Sequence, residues 1–278
     1  MNFYPTVHLA KEFKNDQQLM LSYSKRVSRP RGYYLDPNVT YVDPYTIRIG
    51  NPSLKPEDIH SLELGYQKGW EANFLAVELY YRNTRNLITR VSTYNDSLGL
   101  FVMGAENLNN DHSAGAELMV NWKFWKFLTV NGSFTPYYYR INGEVDDQTI
   151  DQETFSWRSN LNATFQITPT TRLQTNMAYR SKSITAQGTV NGYYYMNLAL
   201  RQDFFKRKLS ATLSYRDIFG SIKRDMTSFG ENFTQRMLMV REPRVLTLTL
   251  SYKINNYRFN PNDQRGGGSG GMDFDGGF

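Results

Sequence analysis

The chain has 278 residues, no cysteine, and 32 Lys and Arg against 26 Asp and Glu, a formal charge of +6. Zero cysteine excludes a disulfide framework and any thiolate metal site. The basic residues are spread along the chain rather than gathered in one patch, which argues against a nucleic-acid partner, and no run of about 18 apolar residues offers a membrane helix.

The first seven residues lack a basic segment followed by an apolar core, so they form no signal peptide. An exported protein with this start needs its export signal upstream. The first strand is expected over 3–13, with Val7 and Leu9 on one face and His8 and Ala10 on the other. Lys14, Asn15 and Asp16 read as a tight turn. A second strand covers 17–27, with Leu19, Leu21 and Tyr23 on its apolar face. A long loop over 28–56 carries five prolines, from Pro30 to Pro56. Strand three, 57–67, sets Leu62, Leu64 and Tyr66 against Ser61, Glu63 and Gln67. After a short turn at 68–70, strand four (73–90) alternates Leu75, Val77, Leu79 and Tyr81 with Ala76, Glu78, Tyr80 and Arg82.

A second long loop is expected over 91–111. Strand five, 112–123, has Ala116, Leu118, Val120 and Trp122 on one face, and a short turn at 123–126 leads to strand six, 127–140. An acidic loop follows, Gly143 to Asp147. Strand seven, 153–167, has Trp157, Leu161, Ala163 and Phe165 opposite Arg158, Asn160, Asn162 and Thr164. Pro169 turns the chain into strand eight, 171–184, with Leu173, Met177 and Tyr179 outward and Arg172, Asn176 and Arg180 inward. After a moderate loop at Gly188, strand nine (192–203) has Tyr194, Met196, Leu198 and Leu200 outward. Strand ten, 208–216, interleaves Leu209, Ala211, Leu213 and Tyr215 with Ser210, Thr212, Ser214 and Arg216. The last strand is expected over 233–254, with Pro243 at a bulge or rim, since Pro cannot donate to a ladder.

Stretches of about ten residues with one apolar and one polar face, joined by alternately short and long connections, fit an antiparallel transmembrane β-barrel of the outer membrane. A closed ring leaves no strand edge facing lipid. The 20 Tyr and 17 Phe suit aromatic belts at the two interfaces. The competing fold is an aromatic-rich soluble β-sandwich. Short turns belong on the periplasmic side and long loops outside. The count of about eleven strands is odd, whereas single-chain bacterial barrels have even numbers. This points to the C-terminal part of a larger barrel over 1–260. Residues 261–278, rich in Gly, cannot bury a core and are expected to be a disordered tail.

Two segments carry a family likeness. Ser22-Tyr23-Ser24-Lys25-Arg26-Val27-Ser28-Arg29-Pro30 is followed by Gly50-Asn51-Pro52-Ser53-Leu54-Lys55-Pro56-Glu57. Their order and spacing resemble TonB-dependent outer-membrane receptors, particularly the Bacteroidetes-type branch. The ending Pro243-Arg244-Val245-Leu246-Thr247-Leu248 through Ile254 is similar to that family's terminal strand. The resemblance implies a 22-stranded barrel, of which this chain supplies about half. It also implies a plug domain and remaining strands upstream, an energy-coupling inner-membrane complex acting through that plug, and an extracellular ligand. Siderophore, glycan, peptide and cobalamin are all compatible ligands. The alternative is a plugless outer-membrane barrel with a structural, adhesive or passive-pore role.

Nothing in the chain reads as catalytic machinery, and no enzyme activity or cofactor is expected. His8, His60 and His112 are scattered, without metal-ligand spacing. Glu144, Asp146, Asp147 and Asp151 lack the spacing of an EF-hand. No Gly-Lys-Ser/Thr phosphate loop or Gly-x-Ser-x-Gly elbow occurs. Tyr33, Tyr34, Tyr41, Tyr45 and Phe101 are loop aromatics able to contact a ligand or to pack loop on loop. Glu63, Glu78, Arg82, Glu117 and Arg158 are lumen charges able to pair with one another or with a plug.

Overall fold

The computed structural model describes residues 3–145 and 148–254. In chain order the strands are β1 (Thr6–Phe13) and β2 (Gln17–Ser28), then a loop carrying α1 (Gly32–Leu35), β3 (Thr40–Asp43) and β4 (Thr46–Arg48). There follow β5 (Glu57–Trp70), β6 (Asn73–Asn95), β7 (Leu100–Lys123), β8 (Leu128–Val145), β9 (Gln148–Gln166) and β10 (Thr171–Arg180). The chain continues through β11 (Ser183–Thr185), β12 (Gly188–Val190), β13 (Tyr193–Phe204), β14 (Leu209–Arg216), β15 (Lys223–Phe229), β16 (Thr234–Val240) and β17 (Val245–Tyr252).

Eleven strands form one antiparallel wall in the order β1-β2-β5-β6-β7-β8-β9-β10-β13-β14-β17. Each wall strand pairs with the next wall strand along the chain, as in a meander, and β3 and β4 attach to the same sheet through a parallel pairing of β4 with β7. The wall is open: among the described residues, β1 pairs only with β2 and β17 only with β14. A second sheet, β11-β12-β15-β16, stands on the long connections.

Register explains why the alternation survives from strand to strand. Leu9 pairs with Leu21, Leu21 with Leu64, and Leu64 with Leu79. On the far side Met177 pairs with Leu161 and Met196, Leu200 with Leu213, and Leu213 with Leu248. Because the side-chain period is two, a slip of one residue would turn each apolar row inward. These outward residues are solvent-facing in the protein alone; Leu79 is 52% exposed and Leu250 65%. A water-facing surface of this kind is unfavourable, and lipid is the medium that removes it from water.

Aromatic side chains mark the two edges of this face. Near the short turns, Trp70 meets Trp122 edge-on at 5.1 Å, and Trp125 stacks on Phe127 at 5.4 Å. Toward the long loops, Trp157 stacks on Tyr179 at 5.9 Å, and Tyr179 pairs with Tyr194. The short turns use left-handed residues where tight reversal requires them: Asn15 has φ 63° and Asp16 φ 53°. Asn and Asp reach that region more readily than other non-glycine residues.

The strand expected over 171–184 ends at Arg180, its last residues entering the second sheet as β11, and three longer stretches also differ from the sequence expectation. Residues 91–111 are mostly ladder: β6 and β7 pair from Phe74↔Asn121 up to Asn95↔Leu100, so the expected loop is the top of a long hairpin. The expected acidic loop is likewise paired up to Val145↔Gln148. The last wall strand begins at Val245, while 234–240 is a strand of the second sheet. Arg244 beside Pro243 takes φ 57°, which breaks the run between them. The tail, 261–278, lies outside the described residues.

Candidate functional site: lumen wall and extracellular vestibule

Above the outer aromatic edge, the long connections fold down onto the wall. The segment Gly50 to Glu57 is clamped across the β6–β7 hairpin. Lys55 N–H donates to Asn107 Oδ1 (2.7 Å), and Asn107 Nδ2 donates to Lys55 O (3.0 Å) and Asn86 O (2.7 Å). Asn51 Nδ2 reaches Ala105 O at 3.3 Å, Ile88 N–H reaches Glu57 Oε1 at 2.8 Å, and Leu54 is buried beside them. The motif therefore works as a strap that fixes the loop. Gly50 is required by close approach: a Cβ there would lie 2.4 Å from Asp36 O. α1 places Tyr33 and Tyr34 against Arg90, whose Nε donates to the Tyr34 hydroxyl at 3.1 Å. Hydrogen bonds to Tyr33 and Tyr34 hold the Arg90 guanidinium charged more firmly than usual.

The hairpin tops enclose a small core of their own, Val91, Leu108, Ile141, Val145, Ile150 and Ala186. Leu108 is 1% exposed and Ile141 2%; each such burial is worth about 1.5–3 kcal/mol. The register passes from Arg85↔Asn110 to Leu87↔Leu108, and between them Asn86 takes φ 54°. Gln187, in the β11–β12 turn, completes the head. It accepts Ser92 N–H at 2.7 Å and donates to Ser92 O at 3.0 Å. Phe101 packs edge-on between Tyr94 (5.1 Å) and Phe233 (5.3 Å). Of the loop aromatics Tyr33, Tyr34, Tyr41, Tyr45 and Phe101, Tyr41 and Tyr45 are the most accessible, at 75% and 72%.

The polar face of the wall is the lumen side. Low on it runs an asparagine row: Asn131 pairs with Asn162, Asn162 with Asn176, and Asn176 with Asn197. Asn176 Nδ2 donates to Asn162 Oδ1 (2.9 Å), Asn197 Nδ2 to Asn176 Oδ1 (3.1 Å), and Asp217 N–H to Asn197 Oδ1 (2.8 Å). Higher up lie the charges singled out in the sequence. Glu78 pairs with Glu117, and Glu63 accepts Ser22 Oγ–H at 3.0 Å. Arg82 Nε donates to Ser61 Oγ at 3.3 Å. Arg158 packs on the Tyr137 ring at 5.5 Å. Among the described residues these five charges do not ion-pair with one another. The reading by sequence missed that Arg158 and Arg180 stand side by side across the ladder; their shared inward parity was the available signal.

The histidines stay apart from one another. His60 Nδ1 shares a hydrogen bond with the Tyr23 hydroxyl (2.9 Å), and His112 Nδ1 with that of Tyr81 (2.8 Å). Asp151 forms a two-bond pair with Arg140 at 2.7–2.8 Å. Asp146 and Asp147 lie outside the described residues.

A wall greasy outside and polar inside, with short turns at one end and a folded head at the other, matches a known family. The model of the outer membrane protein beta-barrel family matches residues 1–252. The chain belongs to that family. Its place is the outer membrane, and its fold is that of TonB-dependent receptor barrels. Similar solved structures include the siderophore receptor PirA from Pseudomonas aeruginosa, at 14% identity and TM-score 0.55, covering 79% of this chain and 36% of that one. A mutant ferric enterobactin receptor (PfeA) from the same organism, solved with enterobactin, has 15% identity and TM-score 0.57 over 79% of this chain and 35% of that one. The copper transporter OprC has 12% identity and TM-score 0.60, covering 89% and 39%. Among curated proteins none matches in sequence. The chain thus spans 35–39% of the length of these three structures.

Proposed function

We propose that this chain is the C-terminal portion of the wall, with its extracellular loops, of an energised outer-membrane import receptor. A plug and the remaining strands lie upstream, and the plug links the barrel to an inner-membrane energy-coupling complex. A scarce or large nutrient binds outside, the plug rearranges under force, and the nutrient passes along the lumen face. The chain supplies container and loops, not catalysis.

What carries this reading is the direction of the two edge strands. The eleven wall strands alternate in direction, so β1 and β17 run the same way. Joining them to each other would make a parallel seam. Joining β17 of one copy to β1 of a second copy would do the same. An all-antiparallel barrel therefore needs an odd number of further strands, and a membrane tolerates no open edge. Even-numbered barrels are the bacterial single-chain rule, and eleven more strands satisfy it. The folded head supports the same reading, because it presents Tyr41 and Tyr45 on a strapped loop rather than on a loose one.

The test is uptake in the native host with the gene deleted, measured for a panel of siderophores, glycans, peptides, cobalamin and copper, with and without a protonophore. Loss of one protonophore-sensitive uptake is the expected result. Loss only of uptake that the protonophore never affected would favour a passive pore and overturn the receptor reading.

A further inference from the structure

We propose that Arg158 and Arg180 form an oxyanion site on the lumen wall, taking a carboxylate or phosphate group. The proposal rests on the reading of this chain as part of a larger receptor barrel. The two arginines are direct cross-strand partners on β9 and β10. Like charges placed so are destabilising unless something of opposite sign joins them. Among the described residues neither is ion-paired. Each guanidinium is instead held from one side by a ring: Arg158 by Tyr137 at 5.5 Å and Arg180 by Tyr193 at 6.0 Å. Ring stacking leaves the guanidinium N–H edges free to meet planar anions in pairs.

Arg158 and Arg180 both line a cavity of about 180 Å³, together with Ser133, Thr135, Asn160, Tyr179 and Glu117. Ser133 and Asn160 are register partners, as are Thr135 and Arg158. Hydroxyl and amide donors thus surround the arginine pair on one face. Glu117 is the single acid of the lining, so the cavity carries a net charge near +1 with Arg158, Arg180 and Glu117 all ionised. The acids Glu78 and Glu117 face each other on β6 and β7, which leaves the basic end of this level to β9 and β10. The same oxyanion chemistry has two sources: a carboxylate of an upstream plug, or an anionic group of the cargo passing along the wall.

The test uses the full-length protein purified from the outer membrane, its mass checked first, in wild type, R158Q/R180Q and R158K/R180K. Inorganic phosphate is the probe, followed by ³¹P line broadening. Binding that falls at least tenfold in R158Q/R180Q and is partly kept in R158K/R180K supports a site open to free anions, and E117Q should then tighten it. No binding in wild type, with plug amide exchange at least tenfold faster in R158Q/R180Q, supports occupation by a plug carboxylate. Unchanged phosphate behaviour together with unchanged plug exchange overturns the proposal. A protein without plug or further strands is seen in the mass alone, so failure of the receptor reading is distinguished from failure of the site.

Discussion

Asn107 grips both backbone polar groups of Lys55, accepting its N–H at 2.7 Å and donating to its carbonyl at 3.0 Å. One side chain on β7 thereby substitutes for a short piece of ladder and fixes the end of a loop at Lys55, 52 residues earlier in the chain. Asn107→Ala removes these bonds and the one to Asn86 O. Partial replacement by water leaves a local loss of about 1–2 kcal/mol. Amide exchange over 51–57 is expected to rise roughly tenfold, with exchange in β13 and β14 unchanged.

The lipid-facing rows predict a sharp contrast between neighbouring positions on β6. Leu79→Arg places a charge on the outer face, at a cost of about 2–4 kcal/mol near the bilayer midplane. Glu78→Gln, one residue away on the lumen face, should leave assembly intact. Urea-induced unfolding of the full-length barrel in lipid vesicles reads the difference. Equal effects at both positions would contradict the assigned faces.

In the extracellular β15–β16 hairpin, Arg236 donates two hydrogen bonds to Asp225, at 2.7 and 2.8 Å. Arg236, with help from Asn191, lowers the Asp225 carboxyl from 3.8 to about 2. Because the folded value lies below the ordinary one, the contribution is fully present above about pH 4 and is lost as pH falls toward about 2. Limited proteolysis with pepsin between pH 4 and pH 2 should cut this hairpin faster at the acid end. In Asp225→Asn that pH dependence should disappear.

The asparagine row adds side-chain bonds across three wall strands that the backbone ladder already joins. Asn176 donates to Asn162 and accepts from Asn197. Asn176→Ala should cost about 1–3 kcal/mol for the two bonds, read as a lower unfolding midpoint for the full-length barrel. Asn131, which has no such side-chain bond to Asn162 among the described residues, should tolerate alanine better.

Much of the wall was legible because a membrane strand repeats one rule. Leu64, Leu79 and Leu213 each fall on the face that alternation assigns, and the count of eleven strands holds. Above the membrane that rule lapses. Asn107, Leu108, Asn109 and Asn110 fall in the long loop expected over 91–111, yet Leu108 packs into the head core while Asn107 ties the strap. Periodicity cannot reveal a strand whose partners are polar side chains and a separate small core. The strand expected over 233–254 ran together β16 and β17, since both alternate and only Pro243 and Arg244 interrupt them. In the lumen, parity placed Arg158 and Arg180 inward, but only register showed that they are neighbours.

The most direct measurement is the mass of the native polypeptide that carries this sequence, taken from an outer-membrane fraction. A wall of eleven strands with two edges running the same way requires partners, and the three solved structures described are longer by a factor of about two to three. The expected product is correspondingly heavier than the 32.3 kDa of these 278 residues. A functional outer-membrane protein of 32.3 kDa, with β1 and β17 left as its edges, would contradict the proposed receptor.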